Sequence, residues 1–250
     1  SSGCLELVGM GAMRRNDEVG SKEERVVETR TESVPVCGGA TLAASVTLPG
    51  PGAYPVVIVR TVYGRRNLQI IGDIFGSHSY AVVIQDVRGS GESSGQFGFL
   101  AQEPADAVET AQWVLHQPWC DGRLAILGIS YLSAASIAIA AEFPDQVKAA
   151  VWVTAPVTKD LLCFQDGALR LHHTLPWTYM REASLSGFDP ESLYRRTPLV
   201  DAIPRSVEPS WAAMLEEGPR SEFWEGNDLW DYVRRARVPG LHFGGWFDFL

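Results

Sequence analysis

At 250 residues the chain has room for one large domain, or for one domain carrying an insertion. With 46% hydrophobic and 20% charged residues it has the composition of a water-soluble globular protein. A formal net charge of −9 speaks against nucleic acid or an anionic membrane as partner, because neither attracts an acidic surface; ordinary solubility accounts for the charge.

From the N-terminus, residues 1–24 are mixed, Gly-containing and charged, and are expected to form a disordered leader. No basic segment followed by an apolar one marks a signal peptide; because the chain opens Ser1-Ser2-Gly3, a preceding segment, and with it secretion, stays open. Residues 25–36 and 40–48 read as antiparallel strands joined by a Cys37-Gly38-Gly39 turn. Residues 55–59 and 80–84 are short β-branched runs suited to a sheet buried on both faces, with a crossover helix over 67–77 between them. From 103 to 116, Ala105, Val108, Ala111, Val114 and Leu115 recur at helical spacing behind Pro104. Asp121-Gly122 is expected to turn the chain into a strand from Leu124, followed by a helix from Tyr131 and a strand over 149–153. This alternation predicts an α/β fold with a mostly parallel, doubly wound sheet. Residues 157–236 carry helical segments rich in Trp, Leu and Arg without a clear strand, and one further strand follows at 241–244. The expected organisation is therefore a leader (1–24), a core (25–156), a helical cap insertion (157–236) and a return to the core (237–250).

Two further features bound the setting. Cys4, Cys37, Cys120 and Cys163 are scattered, with neither zinc spacing nor a disulfide framework, which fits a reduced cytoplasmic protein. The apolar run 125–141 is nearly long enough to span a membrane, but Gly128 and three serines divide it into strand and helix.

The segment Leu124-Ala125-Ile126-Leu127-Gly128-Ile129-Ser130-Tyr131-Leu132-Ser133 carries the chemistry. A serine at a one-residue corner between strand and helix projects its hydroxyl above the sheet, and the helix behind it offers free backbone N–H groups; this is a nucleophile elbow. Gly128 fits the usual pattern, whereas Leu132 stands where a second Gly is usual, and a strand–Gly–Ser–helix junction without chemistry fits the same residues. Asp248 follows the last strand, where the acid of a Ser–Asp–His order belongs; a solvated loop aspartate is the alternative. Tyr63, just beyond the 55–59 strand, has a phenol able to donate to an oxyanion, with the Tyr131 N–H as second donor; a packing aromatic is the alternative. Gly89-Ser90-Gly91-Glu92-Ser93-Ser94-Gly95 is similar to a dinucleotide-binding loop, but such a loop needs a helix starting within it, and here the helix starts only near Pro104.

Asp86-Val87-Arg88-Gly89, Ser94-Gly95-Gln96-Phe97, Trp113, Trp119-Cys120-Asp121-Gly122, the Gly128–Leu132 segment and Gly244-Gly245-Trp246-Phe247-Asp248 occur in that order. The series resembles the cocaine esterase / X-prolyl dipeptidyl-peptidase family of serine hydrolases, relatives of the α-amino-acid ester hydrolases and glutaryl-cephalosporin acylases. The resemblance implies an α/β-hydrolase fold, Ser130 as nucleophile, Asp248 as triad acid, and Tyr63 with the Tyr131 N–H as oxyanion hole. It implies no metal and no organic cofactor. Asp86 and Arg88 are expected to organise the loop beside the site. The family's triad histidine follows its aspartate by some tens of residues, and His78, His116, His172, His173 and His242 all precede Asp248. The chain is therefore expected to be a truncated copy without its general base, with an exposed sheet edge.

The expected function is hydrolysis of a small-molecule ester, an amide or a short peptide through an acyl-serine intermediate, with a homo-oligomer left open. Phe164, Leu171, Trp177 and Tyr179 of the cap are expected to wall an acyl pocket, or alternatively to pack the cap core. Asp166 or Glu182 is the candidate for holding a substrate amine. The alternative function is a non-catalytic domain that binds a ligand through the cap.

Overall fold

Short β-branched runs, most of them closed by Gly or Pro, build a central sheet in the computed structural model, which describes residues 27–158, 162–182, 189–203, 209–217, 224 and 226–248. The expected leader, 1–24, and Cys4 lie outside the described residues. In chain order come β1 (Glu28–Val36), β2 (Ala40–Leu48), β3 (Tyr54–Thr61), α1 (Gln69–Ser77), β4 (Ala81–Asp86), α2 (Glu103–Leu115) and β5 (Cys120–Ile129). Then follow α3 (Tyr131–Ala134), α4 (Ile137–Glu142), β6 (Val147–Val153), β7 (Phe164–Gln165), β8 (Ala168–Leu169), α5 (Leu171–Glu182), α6 (Pro190–Tyr194), α7 (Pro209–Glu217), α8 (Trp230–Arg235) and β9 (Gly240–Phe243).

Seven strands pair in the order β1-β2-β4-β3-β5-β6-β9. β1–β2 and β2–β4 are antiparallel; the remaining pairs are parallel, as the alternating pattern predicts. Val56, Ile58, Val59, Val82, Val83 and Ile84 are buried because helices cover the sheet on both sides. α1 brings Ile71 and Phe75 against Val57, Val59, Val82 and Ile84, while α2 and α4 pack on the opposite face with Ala107, Ala111, Val114 and Ile139. β9 is an edge, and all four of its residues are exposed among the described ones.

Three local expectations change. Asp121-Gly122 lies inside β5 rather than turning the chain before it: Gly122 takes a φ of +89°, and the pairing of β5 with β3 shifts register there. A residue able to enter the left-handed region lets a strand bulge instead of reversing. The helix after Ser130 is broken at Ala135-Ser136 into α3 and α4. Residues 157–236 contain the hairpin β7–β8, turned by Asp166 and Gly167 at φ +52° and +83°. The apolar run 125–141 divides among β5, α3 and α4, and no helix of the described residues is long and apolar enough to cross a membrane.

Backbone passes very close to backbone at the end of β5. A Cβ on Gly128 would stand 2.4 Å from Ser133 Cα and 2.6 Å from Ser133 N, so only glycine lets α3 start this near the strand it leaves. Gly128→Ala is expected to destabilise the protein by about 1–3 kcal/mol, the usual cost of overpacking. Urea denaturation measures this; an unchanged midpoint contradicts it.

Candidate active site

β5 ends on a strained corner. Ser130 has φ 54° and ψ −127°, a backbone that L side chains rarely adopt and that costs about 1–3 kcal/mol. Its N–H donates to Val153 O at 2.8 Å, fixing the corner to the end of β6, and its carbonyl accepts from Ser133 N at 2.9 Å to start α3. Ser133 is buried, and its small side chain fits against Val153. Tyr131 N–H lies in the first turn of α3, where helix geometry gives it no acceptor within the helix.

The loop after β3 brings Tyr63 to this corner. Tyr63 N–H donates to Thr61 Oγ1 at 3.0 Å, and the Tyr63 carbonyl accepts from Asn67 Nδ2 at 2.7 Å across Gly64, whose φ is +86°. Arg65 anchors this loop: its N–H and Nη1 both donate to the Asp86 carboxylate, and Nη2 donates to Glu92. Arg65 and Asp86 are buried; Glu92 is half-exposed, and the Arg65 guanidinium holds its carboxyl below the usual range. The Tyr63 hydroxyl accepts from Trp177 Nε1 at 3.0 Å, and the Ser130 side chain interacts with the same phenol. Burial raises the Tyr63 pKa, so the phenol is neutral at physiological pH, and the interactions with Trp177 and Ser130 work against that rise.

Behind these groups lies an aromatic and charged layer. Trp177 packs on Tyr131, Phe97 and Phe99 at centroid distances of 5.7, 6.2 and 6.1 Å. The Tyr131 hydroxyl is 2.8 Å from Phe99 O and 2.9 Å from Glu103 Oε1. Glu103 pairs with Arg60 at 2.8 Å, and both are buried; burial pushes the Glu103 carboxyl up, opposed by Arg60. Arg60 also donates to Gln85 Oε1 and to Ala135 O at the end of α3, so one guanidinium ties β3, β4, α2 and the elbow helix together. Sequence reasoning passed over Arg60 and Glu103. The available signal is a lone charge near the end of the apolar run 56–62.

The structure brings Ser130, Tyr63, Tyr131 and Trp177 together. Phe164 packs edge-on against Trp224, 5.0 Å away, and Trp224 meets Phe99, so Phe164 reaches the aromatic layer only through other rings. Leu171 and Tyr179 are half-buried on α5. Asp166 is exposed at the hairpin tip, and the Glu182 side chain lies outside the described ones. Asp248 sits past β9, whose end joins β6 through Thr154 N–H and Phe243 O at 2.9 Å, on the sheet edge from which Ser130 projects. Asp86 and Arg88 organise loops: Asp86 accepts from Arg65 and Glu92 N–H, and Arg88 donates to Asp106 and Cys37 O. The glycine loop closes on itself, with Gly89 N–H to Ser94 O and Ser93 Oγ to Asp86 O, while α2 starts only at Glu103. His78 and His116 bond backbone carbonyls at helix ends, His172 is exposed, His173 is half-buried beside Leu162, and His242 stacks on Trp152 at 5.1 Å.

The chain is similar to cocaine esterase of Rhodococcus sp. (strain MB1 Bresler), with 26% identity over 251 residues, covering 86% of this chain and 43% of that protein. In structure it is similar to an aminopeptidase from the marine sediment archaeon Thaumarchaeota archaeon. The TM-score is 0.70 at 22% identity, covering 96% of this chain and 46% of that one. It is also similar to an α-amino acid ester hydrolase, with TM-score 0.65 at 20% identity, covering 92% and 46% of the two chains. The chain thus spans less than half the length of these relatives. The structural likenesses show the α/β-hydrolase fold. Residues 38–250 match the X-Pro dipeptidyl-peptidase (S15) family over most of the sequence, and the chain belongs to that family.

Proposed function

We propose that the protein hydrolyses an ester or amide bond through an acyl-Ser130 intermediate. The observation that carries this reading is the meeting of a strained, left-handed Ser130 with a half-buried phenol that interacts with it and is held by Trp177 Nε1. Strain of this kind persists where surrounding structure over-determines it, and here it lifts one hydroxyl out of the sheet. Oγ attacks the acyl carbonyl, its proton passes to a histidine, and the Tyr63 hydroxyl and Tyr131 N–H receive the oxyanion. Collapse breaks the bond to the leaving alcohol or amine, which takes the histidine's proton; water then releases the acid from Ser130. Asp248 is assigned to orient that histidine, which the reading takes to be none of the five in this chain. The helical segments between β6 and β9 act as the cap, bringing Trp177 to the site; neither a metal nor a cofactor is required by these steps.

The substrate is proposed to be a small acyl ester rather than an X-Pro amide. A dipeptidyl substrate needs its free amine held; of the two candidate acids, Asp166 faces solvent at the hairpin tip and the Glu182 side chain lies outside the described ones.

A fluorophosphonate probe should label the complete protein, its histidine included, and Ser130→Ala should abolish labelling; a variant labelled as before overturns the assignment. Tyr63→Phe should lower kcat by about 100- to 1,000-fold with little change in KM, the loss typical of one oxyanion donor. A KM rise at constant kcat would instead make Tyr63 a ground-state contact. In side-by-side assays the small acyl ester should turn over with the higher kcat/KM; preference for an X-Pro amide contradicts the substrate assignment.

A further inference from the structure

A phenol has one proton to give, and an oxyanion donor works only if that proton points at the reacting atom. Tyr63 comes from a loop, whose backbone is held by Asn67 and Arg65 but whose hydroxyl can rotate. Trp177 Nε1 stands 3.0 Å from the Tyr63 oxygen, and an indole N–H can only donate. The Tyr63 oxygen must therefore accept that bond, which leaves its own proton free to turn toward Ser130, whose side chain interacts with the phenol.

We propose that Trp177 is a positioning residue that aims the Tyr63 hydroxyl at the oxyanion formed on Ser130, a role that rests on the acyl-serine reading. The indole is held for this task. Trp177 is buried on α5, and its ring lies against Phe97, Phe99 and Tyr131. Tyr131 supplies the other donor through its N–H, so one aromatic cluster fixes the ring behind each of the two donors. Trp177 is 114 residues from Tyr63 in sequence and belongs to the segment between β6 and β9, so the first donor is set only when that segment is seated on the core. A donated hydrogen bond also polarises the phenol, making its proton a better donor to developing negative charge.

Trp177→Phe keeps an aromatic ring in the cluster and removes the N–H. It should lower kcat for a small acyl ester by roughly three- to tenfold, the value of one neutral hydrogen bond, with KM nearly unchanged. In a Tyr63→Phe background the same substitution should have no further effect on kcat, because the hydroxyl it aims is gone. An equal loss in both backgrounds makes Trp177 a packing residue and overturns the proposal. Ser130→Ala separates the two levels: full turnover in that variant removes the acyl-serine reading and the proposal with it. Abolished turnover with an equal loss from Trp177→Phe in both backgrounds removes the proposal alone. An independent measurement needs no turnover: the indole N–H resonance of Trp177, assigned by its absence in Trp177→Phe, should move upfield in Tyr63→Phe. A resonance that stays in place overturns the pairing.

Discussion

The left-handed backbone of Ser130 is the constraint from which the site follows. A ten-residue strand must become a helix within one residue, and it does so only because Gly128 lets Ser133 approach to a distance no side chain permits. That approach in turn places Tyr131 N–H beside the serine hydroxyl and buries the Tyr131 ring in the core. The strain of about 1–3 kcal/mol is offset by the packing of α3 and α4, in which every residue from Tyr131 to Ala140 is buried.

Charge burial completes what the corner begins. Arg60 with Glu103, and Arg65 with Asp86, are paired in the interior, where loss of one partner leaves an uncompensated charge and costs about 3–5 kcal/mol. Both pairs join neighbouring strands to the loops that carry the donors: Arg65 holds the Tyr63 loop, and Arg60 holds the end of α3. Such pairs fix geometry more than they add stability, since the attraction must first repay desolvation. They hold Tyr63 and Tyr131 on elements fixed from behind.

The parallel strands and the strand-to-helix corner at Ser130 were readable in the sequence because each leaves a local trace. Strands covered on both faces appear as unbroken β-branched runs, and the small residues after Ser130 mark a helix that must pack closely. The β7–β8 hairpin left no such trace, since two-residue strands are too short to show a period. Gly122 read as a turn because a glycine that bulges a strand and one that reverses it look alike in sequence. Trp177 was identified as a pocket residue, yet its bond to Tyr63 spans 114 positions and depends on how two separate segments meet. Arg60 and Glu103 looked like ordinary charges; only the fold reveals that both are buried.

The most direct test of covalent chemistry at Ser130 is to trap the intermediate. The protein is mixed with a chromogenic acyl ester, quenched in acid within the first turnover, and its peptides are mapped by mass. The account predicts the acyl increment on the peptide that carries Ser130; an increment on another peptide, or hydrolysis with no acylated peptide at all, contradicts it.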